Sequence, residues 1–147
     1  MLENDVVRGC LDYLRLIGIF AWRVNTMGTY RGEGAYSFNG MAGVSDIIGV
    51  LPQSVDCITE EGTVAATCGN ILCIECKRPK EYGGKKPTNE QMSFLKRIKE
   101  DGGIALVVHS VDELKEQLEE HLYYCPLIAG RGRGDFDTPK HRSKSPA

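Results

Sequence analysis

The stretch NILCIECK, residues 70–77, constrains this chain more than any other. Its apolar run, with Leu72 and Ile74 at the centre, has the composition of a strand buried in a sheet. Glu75 and Lys77 then arrive where another aliphatic residue would bury more cheaply. IALVVH (104–109) is a second near-continuous apolar run, as in a strand covered on both faces. Between the two, Thr88 and Gln91 have the spacing of a capping box. Phe94, Leu95 and Ile98 follow as an inner helical stripe, and Gly102-Gly103 supplies a stop.

The remaining elements follow the same logic. Residues 3–17 predict a helix, with Val7, Cys10, Leu11 and Leu14 on one face and Gly18 as its end. Glu3 lies four residues before Val7 and so shares that inward face, whereas Asp5 and Asp12 point elsewhere. FAWRVNT (20–26) reads as a strand, the glycine-rich stretch 27–45 as a loop, and SDIIGVL (45–51) as a strand ended by Pro52. Residues 53–69 fit a hairpin or an ordered insertion, 78–87 a basic loop, and 111–122 a last helix opened by Ser110 and Glu113 at capping-box spacing. The order α-β-β-β-α-β-α implies an α/β fold: a mixed central β-sheet flanked by α-helices, over residues 1–128. AGRGRGDFDTPKHRSKSPA (129–147) has almost no apolar content and reads as a disordered tail.

Composition bounds the function classes. A chain of 147 residues suits one domain, and 41% hydrophobic residues suffice for a core. The net charge of -2 gives the whole molecule no strong attraction to polyanions. Its distribution is uneven: residues 1–128 hold 13 Lys+Arg against 18 Asp+Glu, and residues 129–147 hold 5 against 2. No apolar run approaches the ~20 residues of a membrane span, and the start MLENDVV is too polar for an export signal. A reducing cytoplasm is the expectation, with the six cysteines as free thiols.

In a strand, side chains alternate faces. Leu72, Ile74 and Cys76 share one face; Cys73, Glu75 and Lys77 share the other. An ordinary salt bridge, or a strand ending in water, accounts for Glu75 and Lys77 taken alone. Asp46 changes the weighing, because it too stands at a strand position, beside a glycine-rich turn. If the two strands are neighbours, Asp46 and Glu75 converge. Two carboxylates and an amine facing one point are mismatched without a cation between them. Mg2+ suits such a place, since it takes one or two carboxylates and fills its shell with waters and phosphate oxygens.

The order G-x-S-D (Gly43 to Asp46), then E-C-K (Glu75 to Lys77), resembles the PD-(D/E)xK nuclease superfamily. The Glu3 helix, AWRVNT, SDIIGVL, IECK and PTNEQMSFLKRIKEDGGIALVVHSVDEL resemble its VRR-NUC branch, over residues 3 to 118. Ser45 departs from the pattern, standing where proline is usual, and 53–69 is longer than a simple hairpin. The resemblance implies a restriction-endonuclease-like fold and a Mg2+-dependent nuclease, with Mn2+ as a substitute and no organic cofactor. It implies that Asp46 and Glu75 bind the metal, joined by the backbone carbonyl of Cys76, with Glu3 completing or supporting the shell. Lys77 would orient or activate the water, and Gln91 would position the water or a ligand, alongside its capping role. DNA, selected by structure (junction, flap or end) rather than sequence, is the implied substrate. A homodimer acting on two strands, in a bacterium or a phage-infected cell, is the implied setting. The alternative is a non-catalytic nucleic-acid-binding module on the same fold; loss of Asp46, Glu75 or Lys77 would have favoured it, and all three are present.

Candidate nucleic-acid contacts are Arg23, Tyr30, Arg31, Arg78, Lys80, Lys85 and Lys86. Any one of them is explained equally by solvated surface charge. The segment 77–86 carries five basic residues against one acidic and adjoins the proposed site, so it is the strongest of these. Tyr30 and Tyr36 would stack on bases or pack their loop. Cys73-x-x-Cys76 invites a zinc or redox reading, but three-residue spacing puts the sulfurs on opposite faces of a strand. His109 and His121 have no nucleophile nearby in the sequence and read as structural.

Overall fold

The computed structural model describes residues 1–24, 29–30, 36–37 and 40–122, the two short pieces by their backbone alone. Expectations placed on Asn25, Thr26, Arg31, Cys125, the tail 129–147 and the side chains of Tyr30 and Tyr36 fall outside these residues.

The chain runs α1 (Glu3–Leu16), β1 (Phe20–Arg23), β2 (Thr29–Tyr30), β3 (Tyr36–Ser37), β4 (Ile47–Thr59), β5 (Gly62–Cys76), α2 (Asn89–Glu100), β6 (Ile104–Val108) and α3 (Val111–Leu122). A short 3-10 turn, Lys80–Tyr82, lies in the basic loop. The main sheet has the order β1-β4-β5-β6. The first two pairings are antiparallel, and β5–β6 is parallel, with α2 as the crossover between them. The architecture is therefore mixed α/β, a four-stranded sheet between helices.

The alternation expected for residues 72–77 holds. Leu72, Ile74 and Cys76 join the core formed with Val6, Val7, Cys10, Leu11 and Leu14 of α1 and Leu114 and Leu118 of α3. Cys73 faces the other way, into a smaller cluster with Leu95, Phe94 and Ile98 of α2. Both faces are covered over the last part of β5, residues 72–76, and over β6, which is why these stretches are largely apolar.

Two expectations change. Pro52 does not end the second strand: β4 continues to Thr59 and pairs with β5 down to Thr59↔Gly62, so 53–69 forms a long hairpin. The reason is local. β1 reaches only to Phe20↔Val50, so from Leu51 onward β4 is an edge strand, where a residue without an N–H is tolerated. The stretch 27–45 also holds regular structure, since β2 and β3 pair as a small antiparallel ribbon. The hairpin from 52 to 70 carries Asp56, Glu60 and Glu61 and no lysine or arginine, so its formal charge is negative.

Strand direction gathers the chemistry at one end. The end of β1, the start of β4 and the ends of β5 and β6 lie together, because β4 is antiparallel to both neighbours and β6 is parallel to β5. The start of α2 sits there as well, since Gln91 in its first turn touches Glu75. So does the start of α1, where Met1 accepts a hydrogen bond from Arg78. The hairpin tip points the opposite way.

Candidate active site

Glu75 is the centre of the arrangement. It is 1% exposed, and its backbone belongs to the last turn of ladder before β5 ends. Lys77, 7% exposed and two residues on, lies on the same face and places Nζ 2.8 Å from Glu75 Oε1. Gln91 Nε2 donates to the same oxygen. Glu75 Oε2 is buried and has no hydrogen-bond partner among the described residues. Leaving one buried carboxylate oxygen bare forfeits about 1–3 kcal/mol or more. A cation approaching Oε2 removes the deficit.

Asp46 completes the near side. The β4–β5 register, extended one step past Ile47↔Ile74, puts Asp46 opposite Glu75. Its Oδ2 accepts the Cys76 backbone N–H at 2.9 Å, which holds the carboxylate against β5. Cys76 thus enters the site through its main chain, while its thiol lies in the opposite core and hydrogen-bonds Cys10. Glu3, exposed at the start of α1, lies within electrostatic reach of Asp46, Glu75 and Lys77.

Gln91 serves two purposes at once. Thr88 Oγ1 accepts the Gln91 N–H at 3.3 Å, and Gln91 Oε1 accepts the Thr88 N–H at 2.8 Å, completing the expected capping box. With Oε1 committed to the cap, the amide nitrogen is the end that faces Glu75. The cap therefore sets the direction of a donor in the site. Gly43 fits the same construction. Its φ is +78°, and a Cβ there would lie 2.4 Å from the Glu90 carbonyl carbon and oxygen. The absence of a side chain lets the turn before Asp46 lie against the first turn of α2.

Burial dominates the electrostatics of the two carboxyls. Burial pushes the Glu75 carboxyl up to about 7, with the Lys77 hydrogen bond opposing and Asp46 and Glu3 adding to the rise. Burial also raises Asp46, against the pull of the Cys76 N–H. For Lys77, burial acts to lower the pKa, but Glu75's hydrogen bond and charge outweigh it and the group is raised. Glu75 thus holds its proton to a higher pH when folded than when unfolded. For a carboxyl, that contributes stability below its unfolded pKa, lost as pH rises through the folded value. Without divalent ions, wild type is expected to lose roughly 3 kcal/mol relative to Glu75→Gln between pH 4.5 and 7. Urea unfolding of both proteins in EDTA across that range measures it.

Among the described residues, no three His, Cys, Asp or Glu side chains close on one point as a ready-made ion cage. Mg2+ does not require one: it keeps several waters and uses one or two protein carboxylates. Asp46 and the bare oxygen of Glu75 meet that need, so the donor set fits the ion. The cysteines do not. Cys73 and Cys76 lie in opposite cores, and Cys57 and Cys68 are exposed on the hairpin. Burial drives the Cys73 thiol up to about 11, the reverse of a reactive thiolate. His109 accounts for itself through its 3.0 Å contact with Glu113.

The basic candidates divide. Lys80, Lys85 and Lys86 are exposed on the loop after Lys77. Arg23 and Arg78 are engaged instead with the start of α1, Arg23 with Asn4 Oδ1 at 2.7 Å and Arg78 with the Met1 carbonyl at 3.1 Å. No short-range pattern signals these contacts. A cavity of about 830 Å³ between α2 and the sheet is lined by residues such as Met92, Leu95, Lys96 and Val107 and excludes Asp46 and Glu75. Its lining holds no convergent acids, so the end of the sheet where Asp46 and Glu75 meet is the better candidate for chemistry.

Ser45 departs from the motif, and its sequence position gives no sign of its burial. Ser45 is fully buried, and its Oγ has no partner among the described residues. Ser45→Ala is expected to be neutral to stabilising, by up to about 1 kcal/mol, in chemical denaturation.

No family model matches the chain, and no curated protein or solved structure matches it either.

Proposed function

We propose that the chain is a divalent-metal-dependent phosphodiester hydrolase acting on DNA, built on a restriction-endonuclease-like fold. The observation that carries this reading is the buried Oε2 of Glu75, which has no donor among the described residues, beside Asp46 and a lysine that already occupies the other oxygen. Asp46 and Glu75 would hold Mg2+ or Mn2+, with Glu3 supporting from α1. The ion, when bound, lowers the pKa of its water and polarises a phosphate.

The chain's own residues supply the rest. Gln91 and Lys77 fix the Glu75 carboxylate in one orientation, leaving Oε2 for the ion. Lys77 brings an ammonium to the place where charge develops on the phosphate oxygens. The Cys76 N–H keeps Asp46 from turning away. Lys80, Lys85 and Lys86 are placed to neutralise phosphates beside the acidic cluster, giving salt-dependent binding without base readout. Selection by DNA structure and a dimeric state belong to the same proposal.

The test is cleavage of linear duplex, flap and four-way-junction DNA with Mg2+ or Mn2+ and with EDTA. The expected result is metal-dependent cutting that favours one branched or ended substrate. DNA binding without cutting under either metal would leave the non-catalytic module as the better description.

A further inference from the structure

We propose that Arg23 and Arg78 are positioning residues that hold Glu3 at the acidic end of the sheet, not contacts to phosphate. This rests on the reading of that end as a divalent-ion site. Glu3 is the first residue of α1, and its side chain is exposed. Helix starts leave four N–H groups without intrahelical partners and fray readily. Of the three carboxylates, Glu3 is therefore the least constrained by its own element.

The two arginines supply the constraint. Arg23, the last residue of β1, donates from a terminal guanidinium nitrogen to Asn4 Oδ1 at 2.7 Å. Arg78, one residue past Lys77, donates from Nε to the Met1 carbonyl at 3.1 Å. Their acceptors lie on either side of Glu3 in the chain. The chain segments that send them also carry the site: Arg23 pairs with Ile47, next to Asp46, and Arg78 lies two residues past the end of β5, which bears Glu75, and directly after Lys77. The strand ends that present Asp46 and Glu75 thus also grip the turn that presents Glu3. Both acceptors are neutral, so the grip leaves the Glu3 charge free. A direct ion pair to Glu3 would have neutralised it.

The experiment is Mn2+ titration by calorimetry, with binding to a short DNA duplex followed over a salt series. Arg23→Ala with Arg78→Ala is expected to weaken Mn2+ binding roughly tenfold, as loss of groups that orient ligands does. In a Glu3→Gln background the same pair should change nothing further, because the arginines act through Glu3. The salt slope of DNA binding should stay as in wild type. Arg23→Lys with Arg78→Lys, which keeps both charges, should still weaken Mn2+ binding, since an ammonium does not reproduce the guanidinium geometry. Unchanged Mn2+ affinity, with a salt slope reduced by about 0.9 for each arginine lost, would make them phosphate contacts and overturn the proposal. Absence of Mn2+ binding in wild type would instead sink the ion-site reading beneath it.

Discussion

Replacing Lys77 by methionine is expected to lower metal-dependent cleavage by on the order of 10²–10³, the usual effect of removing a group that stabilises developing charge. Methionine keeps an unbranched stem of similar length, so the change tests the ammonium rather than the packing. The neighbouring consequence is predictable. Glu75 loses the partner at 2.8 Å from its Oε1 and becomes a buried carboxylate without a counter-charge. It will hold its proton to higher pH still, and the fold survives because a protonated carboxyl is tolerated in burial. Asp46→Asn is the companion variant. Its amide oxygen can still accept the Cys76 N–H, so the strand edge is kept while the charge is lost. Both variants should fold, judged by far-UV circular dichroism, and both should be inactive. Wild-type rates in Lys77→Met would remove the lysine from the chemistry.

The second large effect is structural. Gly43→Ala should destabilise the protein by roughly 3 kcal/mol or more, lowering Tm by on the order of 10 °C. Two penalties combine: the left-handed φ of +78° and a Cβ 2.4 Å from the Glu90 backbone. Gly102 separates them, because its φ of +87° is similar but nothing lies within 4 Å of its added Cβ. Gly102→Ala should lose only about 1 kcal/mol. The difference between the two is the close approach. Relief of the clash moves the first turn of α2, and with it the Gln91 amide that meets Glu75. Gly43→Ala should therefore lose cleavage even where it remains folded. Equal stability of the two variants in calorimetry would contradict the packing of this turn on α2.

The site's two halves differ in how far sequence reveals them. Glu75 and Lys77 are legible because strand alternation is strict: once 70–77 is a strand, both charges must share the face opposite Leu72, Ile74 and Cys76. Asp46 is legible only on the assumption that its strand is a neighbour, which the β4–β5 register supplies. The Thr88 capping box was plain from spacing. That its glutamine also donates to Glu75 was not derivable from spacing, since it depends on where the crossover helix lands. The strand through Pro52 was hidden for a different reason. A proline ends a central strand but not an edge, and which strand is an edge depends on where β1 stops. The arginine tethers were least legible, because their partners lie 19 and 77 residues away. Charge alone assigned them to nucleic acid.

A divalent ion at the site would meet the bare oxygen of Glu75. Crystals soaked in Mn2+ give the direct measurement through anomalous scattering. The expected result is a peak about 2 Å from Glu75 Oε2, shared with Asp46, that vanishes in Glu75→Gln. An ordered peak elsewhere, or none at saturating Mn2+, would contradict it.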